Sequence, residues 1–165
     1  MAVRATKRGA ERTPRDETVD VLICGASFAG LAAARELVGS GASVLVVDRY
    51  EIGERQTSAC AVPTEWLTVL GLDASIKQTF SSPVLRRPAG GRGPVRKWRW
   101  PVPWQFSTFD YKQLCEMLAA QGDFRFETAK VDGITRGEVH TVHTDRGPLR
   151  APIVIDALGW RRVLS

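Results

Sequence analysis

Apolar positions come in short unbroken runs separated by polar, glycine-bearing stretches. "DVLIC", Asp20 to Cys24, and "SVLVV", Ser43 to Val47, are apolar after their first residue and rich in β-branched residues. Such runs predict strands buried on both faces rather than strands alternating between core and water. Between them, Ser27 to Val38 has helical spacing, with Leu31, Ala34, Leu37 and Val38 on one side, and Gly39-Ser40-Gly41 stops it. Two parallel strands joined by a helix make a right-handed βαβ crossover.

Downstream, Pro63 to Leu70 predicts a short helix ended by Gly71. Residues 81–94, "SSPVLRRPAGGRGP", read as loop. "VRKWRW" alternates basic and aromatic positions and predicts a β-ribbon. Asp110 to Ala120 predicts a helix with Leu114, Met117 and Leu118 as its stripe and Gly122 as its stop. "FRFET" predicts a third strand. Three short segments with turns at Arg136-Gly137 and Asp145-Arg146-Gly147 predict an antiparallel meander, and "IVIDALG" a last buried run. The fold class is therefore α/β: a Rossmann-like parallel sheet with a βαβ phosphate-binding unit and a small antiparallel meander. Residues 1–18 are polar and aperiodic and read as a disordered leader. Residues 19–165 read as one lobe, with 72–108 as an insertion on a substrate-domain side.

Composition changes this picture little. The 165 residues are 44% hydrophobic and 25% charged, with a net charge of +5, values ordinary for a globular chain. The charge is concentrated. Residues 1–15 carry Arg4, Lys7, Arg8, Arg12 and Arg15 against Glu11, and residues 86–99 carry six basic groups and no acid. A polar tail and a solvated loop account for these runs, so no nucleic-acid partner is expected. No apolar stretch is long enough to predict a membrane span. Cys24, Cys60 and Cys115 are odd in number and widely spaced, which suits reduced thiols and a cytoplasmic location.

The candidate chemistry lies in the turn "GASFAG": Gly25, Ala26, Ser27, Phe28, Ala29 and Gly30. It follows a strand and opens a helix. Gly25 suits a tight turn, and Gly30 lets the helix lie close to the strand. The helix N-terminus offers unpaired N–H groups and about half a positive charge to a pyrophosphate. Ser27 stands where a second glycine is usual. Its hydroxyl either bonds a phosphate or caps the helix, or does both. Asp48, at the end of the second strand and 18 residues beyond Gly30, is placed to accept from ribose hydroxyls. It opposes a 2′-phosphate nearby, whereas Arg49 would favour one.

The order strand, "GASFAG", helix, strand, "DR", long excursion, helix, strand, meander, "IDALG" resembles the N-terminal part of a flavoprotein superfamily. That superfamily includes the p-hydroxybenzoate hydroxylase-type monooxygenases, geranylgeranyl reductases and flavin-dependent halogenases. The resemblance covers roughly Val19 to Arg162 and implies that the cofactor is FAD. It implies that Gly25, Ser27 and Gly30 form the phosphate loop and that Asp48 and Arg49 stand at the adenosine. Backbone at Val131 would contact adenine, and Ala157 and Gly159 would bring the chain back to the cofactor. In "EIGERQTSACAVPTEWLTVLGL", Arg55, Ser58 and Cys60 are the polar positions implied to face cofactor, although a plain loop thiol is the simpler account of Cys60. Tyr111 stands where that family often has arginine, and Leu158 where threonine or aspartate is common.

The resemblance implies an FAD-dependent oxidoreductase, with a small hydrophobic or aromatic substrate and NAD(P)H as electron donor. The alternatives are an NAD(P)-binding Rossmann dehydrogenase and a non-catalytic remnant. No catalytic side chain and no metal site is nominated: His140 and His143 fall on opposite faces of one strand. Trp98, Trp100 and Trp104 would line a substrate pocket or a core. Because the chain ends before that family's second flavin motif, the expectation is an inactive, incomplete fold. It would have an uncovered sheet face and unpaired edges.

Overall fold

A computed structural model describes residues 13–56, 60–82, 84–86, 97–99, 101–160 and 163–164. The chain divides into two compact units, one of residues 1–57 and 112–165, the other of Ser58–Tyr111. In chain order the strands are β1 (Glu17–Thr18), β2 (Val21–Cys24), β3 (Val44–Asp48), β4 (Ala61–Pro63), β5 (Ile76–Phe80), β6 (Val84–Arg86), β7 (Lys97–Arg99), β8 (Phe106–Phe109), β9 (Arg125–Thr128), β10 (Val131–Thr135), β11 (His140–Thr144), β12 (Gly147–Ala151) and β13 (Ile153–Asp156). The helices are α1 (Phe28–Glu36), α2 (Thr64–Val69) and α3 (Tyr111–Ala120).

The first unit is a four-stranded parallel sheet, β13-β2-β3-β9, with a second sheet, β1-β12-β11-β10, that is antiparallel apart from the parallel β1–β12 pair. Every residue of β2 is buried, as are the first four of β3, because two layers cover them. On one side Leu22, Cys24, Leu45 and Val47 cluster with Val131, Val142, Leu149 and Ala151 of the second sheet. α1 packs against β2 and β3 and buries Gly30, Leu31 and Ala34. The expected open face is therefore absent from β2 and β3: the meander supplies the cover. The outer strand β13 does expose Ile153.

Residues 1–12 lie outside the described residues, but residues 13–18 are ordered, and Glu17 and Thr18 pair in register with Leu149 and Arg150. Polar side chains do not prevent this, since an edge strand is held by its backbone bonds.

The second unit holds the antiparallel sheet β4-β8-β5, the ribbon β6-β7 and α2. It is wider than the 72–108 read from sequence. Part of the stretch read as loop forms β6, and β4 and β5 had no alternation to announce them. Buried Ser107 on β8 shares hydrogen bonds of 2.8 Å with both Thr64 and Thr79, so hydroxyl pairing takes the place of an apolar stripe there.

Candidate functional site

Strands β2, β3, β9 and β13 all run the same way, so their C-terminal ends fall at one edge of the sheet. Ligands of open parallel sheets bind at that edge. The backbone stitches the four ends together. Gly25 N–H donates to Val47 O at 2.7 Å, Ala157 N–H to Cys24 O at 2.8 Å, and Ala129 N–H to Asp48 O at 2.7 Å.

The phosphate loop is shaped by two close approaches. Gly25 has φ +115°, and a Cβ there would run into the carbonyl of Ala157. At Gly30 a Cβ would run into the carbonyl of Gly25 and lie 3.3 Å from the Ala157 side chain. The "IDALG" turn thus crosses directly over the loop, and only hydrogen fits at both glycines. Ser27 occupies the N-cap position of α1 with extended backbone, but its side chain makes no capping bond, and no acid lies in the first turn. Phe28 and Ala29 are exposed. The start of the helix therefore has neither a side-chain cap nor an acid in its first turn.

Asp48 has more partners than the sequence indicates. Its Oδ2 accepts from Ala26 N–H at 2.7 Å and its Oδ1 from Tyr50 N–H at 3.0 Å. The carboxylate therefore braces the phosphate loop. An ionised carboxylate has about four acceptor sites, so capacity for a ribose hydroxyl is left. Arg49 is half-buried, and its Nε is enclosed with no hydrogen-bond partner. Arg55 is exposed. It donates to the Tyr50 hydroxyl and stacks 5.1 Å from that ring's centre. Val131 is buried at the start of β10, opposite Thr144, next to an irregularity in the ladder. Ala157 is half-buried. Gly159 is exposed at φ +73°, and the space where a Cβ would stand is open.

Direct contacts at this edge join Gly25, Ala26, Gly30, Asp48 and Ala157, with Ser27 and Arg49 next to them in the chain, whereas Val131 lies in the core between the sheets. Cys60 lies in the second unit, buried, at φ +50°, its carbonyl accepting from Phe109 N–H at 3.2 Å. Ser58 and Trp100 fall outside the described residues. Trp104 is exposed and meets Phe106 at 6.4 Å between ring centres. Leu158 is part of the packing on the inter-sheet core. Cys24 ends β2 beneath the loop. Burial, and next the Asp156 carboxylate, push its thiol up to about 12, so it is a neutral packing group. His140 and His143 sit on β11 facing local partners, Gly137 N–H and the Thr135 hydroxyl.

Sequence reasoning missed Arg146. It is a turn residue by pattern, yet its side chain is only 7% exposed and pairs with Glu127 on β9 at 2.9 Å. No local signal distinguishes a buried turn arginine from a solvated one.

The sequence matches a family described as an FAD binding domain over residues 18–97. No curated protein sequence matches the chain. Among solved structures it is similar to a geranylgeranyl bacteriochlorophyll reductase-like protein from Thermoplasma acidophilum, at TM-score 0.65 and 18% identity, over 90% of this chain and 44% of that one. It is similar to the halogenase PltM, solved with phloroglucinol and FAD, at TM-score 0.65 and 18% identity, over 84% of this chain and 34% of that one. A flavin-dependent brominase matches at TM-score 0.64 and 14% identity, over 87% and 38%. The chain spans less than half the length of each of these three. The matched segment contains β2, α1, β3 and the glycine loop; over it the chain is similar to FAD binding domains, and it shares its fold with these flavin-dependent structures.

Proposed function

We propose that this chain serves as the FAD-binding part of a flavin-dependent oxidoreductase of monooxygenase, reductase or halogenase type that acts on a small hydrophobic or aromatic molecule, with NAD(P)H as electron donor. The observation that carries the reading is the doubly crossed glycine loop, where Gly25 and Gly30 admit no Cβ and the N-terminus of α1 has neither an acid nor a side-chain cap. A dinucleotide's pyrophosphate is the group that such a cradle suits.

On this reading N–H groups at Ser27, Phe28 and Ala29 face the pyrophosphate, with Gly25 and Gly30 allowing the approach and the Ala26 N–H given to Asp48. Asp48 accepts from the ribose while bracing Ala26. The buried Nε of Arg49 finds its acceptor in the nucleotide. Backbone at Val131 borders the adenine, and Ala157 and Gly159 border the cofactor on its other side. Arg55, turned to Tyr50, contributes to cofactor binding only by changing rotamer. FAD supplies the electron transfer when bound; the protein's part is orientation and exclusion of water. No acid–base pair is assigned. The buried thiols Cys24, Cys60 and Cys115 support a reducing, cytoplasmic setting.

The test is anaerobic. Protein loaded with FAD is mixed with NADH or NADPH together with extracts fractionated for small aromatic compounds, and the visible flavin band is followed. Bleaching by a nicotinamide, accelerated by an aromatic fraction, is the expected result. A protein that takes up no flavin overturns the reading.

A further inference from the structure

Residues 13–18 belong neither to the βαβ unit nor to the cofactor loops, yet they are tied to the backbone that carries the adenosine end of the site. Arg15 N–H donates to Arg146 O at 2.7 Å, and the Arg146 guanidinium returns a bond to Thr13 O at 3.1 Å. Gly147 has φ +124°, and a Cβ there would run into the Arg15 carbonyl, so the segment lies directly on the β11–β12 turn. Arg15 and Arg146 both pair with Glu127, and Arg125 pairs with Glu17 at 2.7 Å.

The contacts continue inward. Arg146 Nη1 also donates to Thr128 O at 3.0 Å. Lys130 N–H donates to Asp145 Oδ1 at 2.8 Å, and Asp145 N–H to Lys130 O at 3.0 Å. Between these two anchored residues, Ala129 N–H donates to Asp48 O at 2.7 Å. A continuous chain of polar contacts therefore runs from residue 13 to Asp48, and Asp48 holds the phosphate loop through Ala26.

We propose that residues 13–18 form a strap that positions the adenosine end of the nucleotide site, with Arg15 and Arg146 as positioning residues acting through Glu127 and residues 128–130. The proposal rests on the FAD reading of that site. The network is not arranged for stability alone: Arg15 Nε and Glu17 Oε1 are buried without hydrogen-bond partners, a cost that offsets the ion pairs. What these paired charges do provide is a fixed geometry for the link between β9 and β10. That link supplies the backbone beside Asp48 and leads into Val131.

The experiment uses the whole chain and the variants Arg15→Ala and Arg15→Lys, with Arg35→Ala, whose exposed pair with Glu36 lies on α1, as control. Affinity for FAD, ADP and FMN is measured by titration. Amide exchange of the nucleotide-free protein is measured at Ala129, Lys130 and Ile23. Arg15→Ala should weaken FAD and ADP about three- to tenfold, a range typical of mutations that act without touching the ligand. FMN should be unaffected. Exchange should quicken at Ala129 and Lys130 but not at Ile23, with Arg15→Lys intermediate and Arg35→Ala unchanged. Unchanged nucleotide affinity with unchanged exchange at the two amides overturns the strap, whatever happens to the melting temperature. So does uniform acceleration that includes Ile23, which means general destabilisation. Should the parent chain bind neither FAD nor ADP, the FAD reading fails, and exchange decides the strap by itself. Acceleration confined to Ala129 and Lys130 then supports it, and its absence overturns it.

Discussion

The two ends of the proposed nucleotide site are built in opposite ways. The phosphate end is mostly local: one strand, one turn and one helix contiguous in sequence, completed by the pass of Ala157 over Gly25 and the Asp48 brace on Ala26. The adenosine end is assembled from Asp48, residues 127–131, Arg146 and the strap at residues 13–18. Its members are held chiefly by hydrogen bonds and partly buried ion pairs. The first end tolerates no added atom; the second depends on keeping several partners at once. Substitutions should therefore act on the two ends with different magnitude and different signature.

The largest effect is expected at Gly30. Gly30→Val places branched carbon against the Gly25 carbonyl, where backbone must move. Overpacking of this kind costs about 1–3 kcal/mol or more, and here it falls on the loop itself. FAD binding should be lost to titration while circular dichroism shows the fold kept. Retained affinity would mean that the helix does not lie on the loop as described.

Asp48→Ala comes next. It leaves the N–H groups of Ala26 and Tyr50 without their acceptor, a loss of about 1–3 kcal/mol. FAD affinity should fall about 5- to 150-fold, and ADP affinity with it, because the phosphate loop loosens as well as the ribose contact. An effect on FAD with none on ADP would separate Asp48 from the nucleotide.

The smallest effect is expected at Ser27. Its hydroxyl caps nothing, so Ser27→Ala should change stability by less than about 0.5 kcal/mol. Any change in FAD affinity, expected at about 1 kcal/mol, then reports a bond to phosphate. A clear drop in melting temperature with unchanged affinity would restore the capping role.

The same contrast explains what was legible. Glycine positions, continuous apolar strands and helix stops are written in neighbouring residues, and they indicated β2, α1, β3, β9, the meander and β13 with small shifts at their ends. Asp48 was legible as the acidic end of the second strand, but its bonds to Ala26 and Tyr50 were not, because they depend on the turn that the loop makes. Arg15, Glu127 and Arg146 were illegible. Two of them fell in stretches read as tail and turn, and a buried ion pair has no sequence period. β1 was missed because a two-residue edge strand needs only backbone partners. β4 and β5 were not legible because they rely on hydroxyl pairs at Ser107 instead of an apolar alternation.

The central claim is that this edge of the parallel sheet holds the ADP portion of FAD. The most direct test is competition: the chain is titrated with FAD, then with FAD in the presence of ADP or of FMN. The account predicts that FAD binds, that ADP displaces it competitively, and that FMN, lacking the adenosine, displaces it poorly. Displacement by FMN as effective as that by ADP, or FAD binding indifferent to ADP, would contradict it.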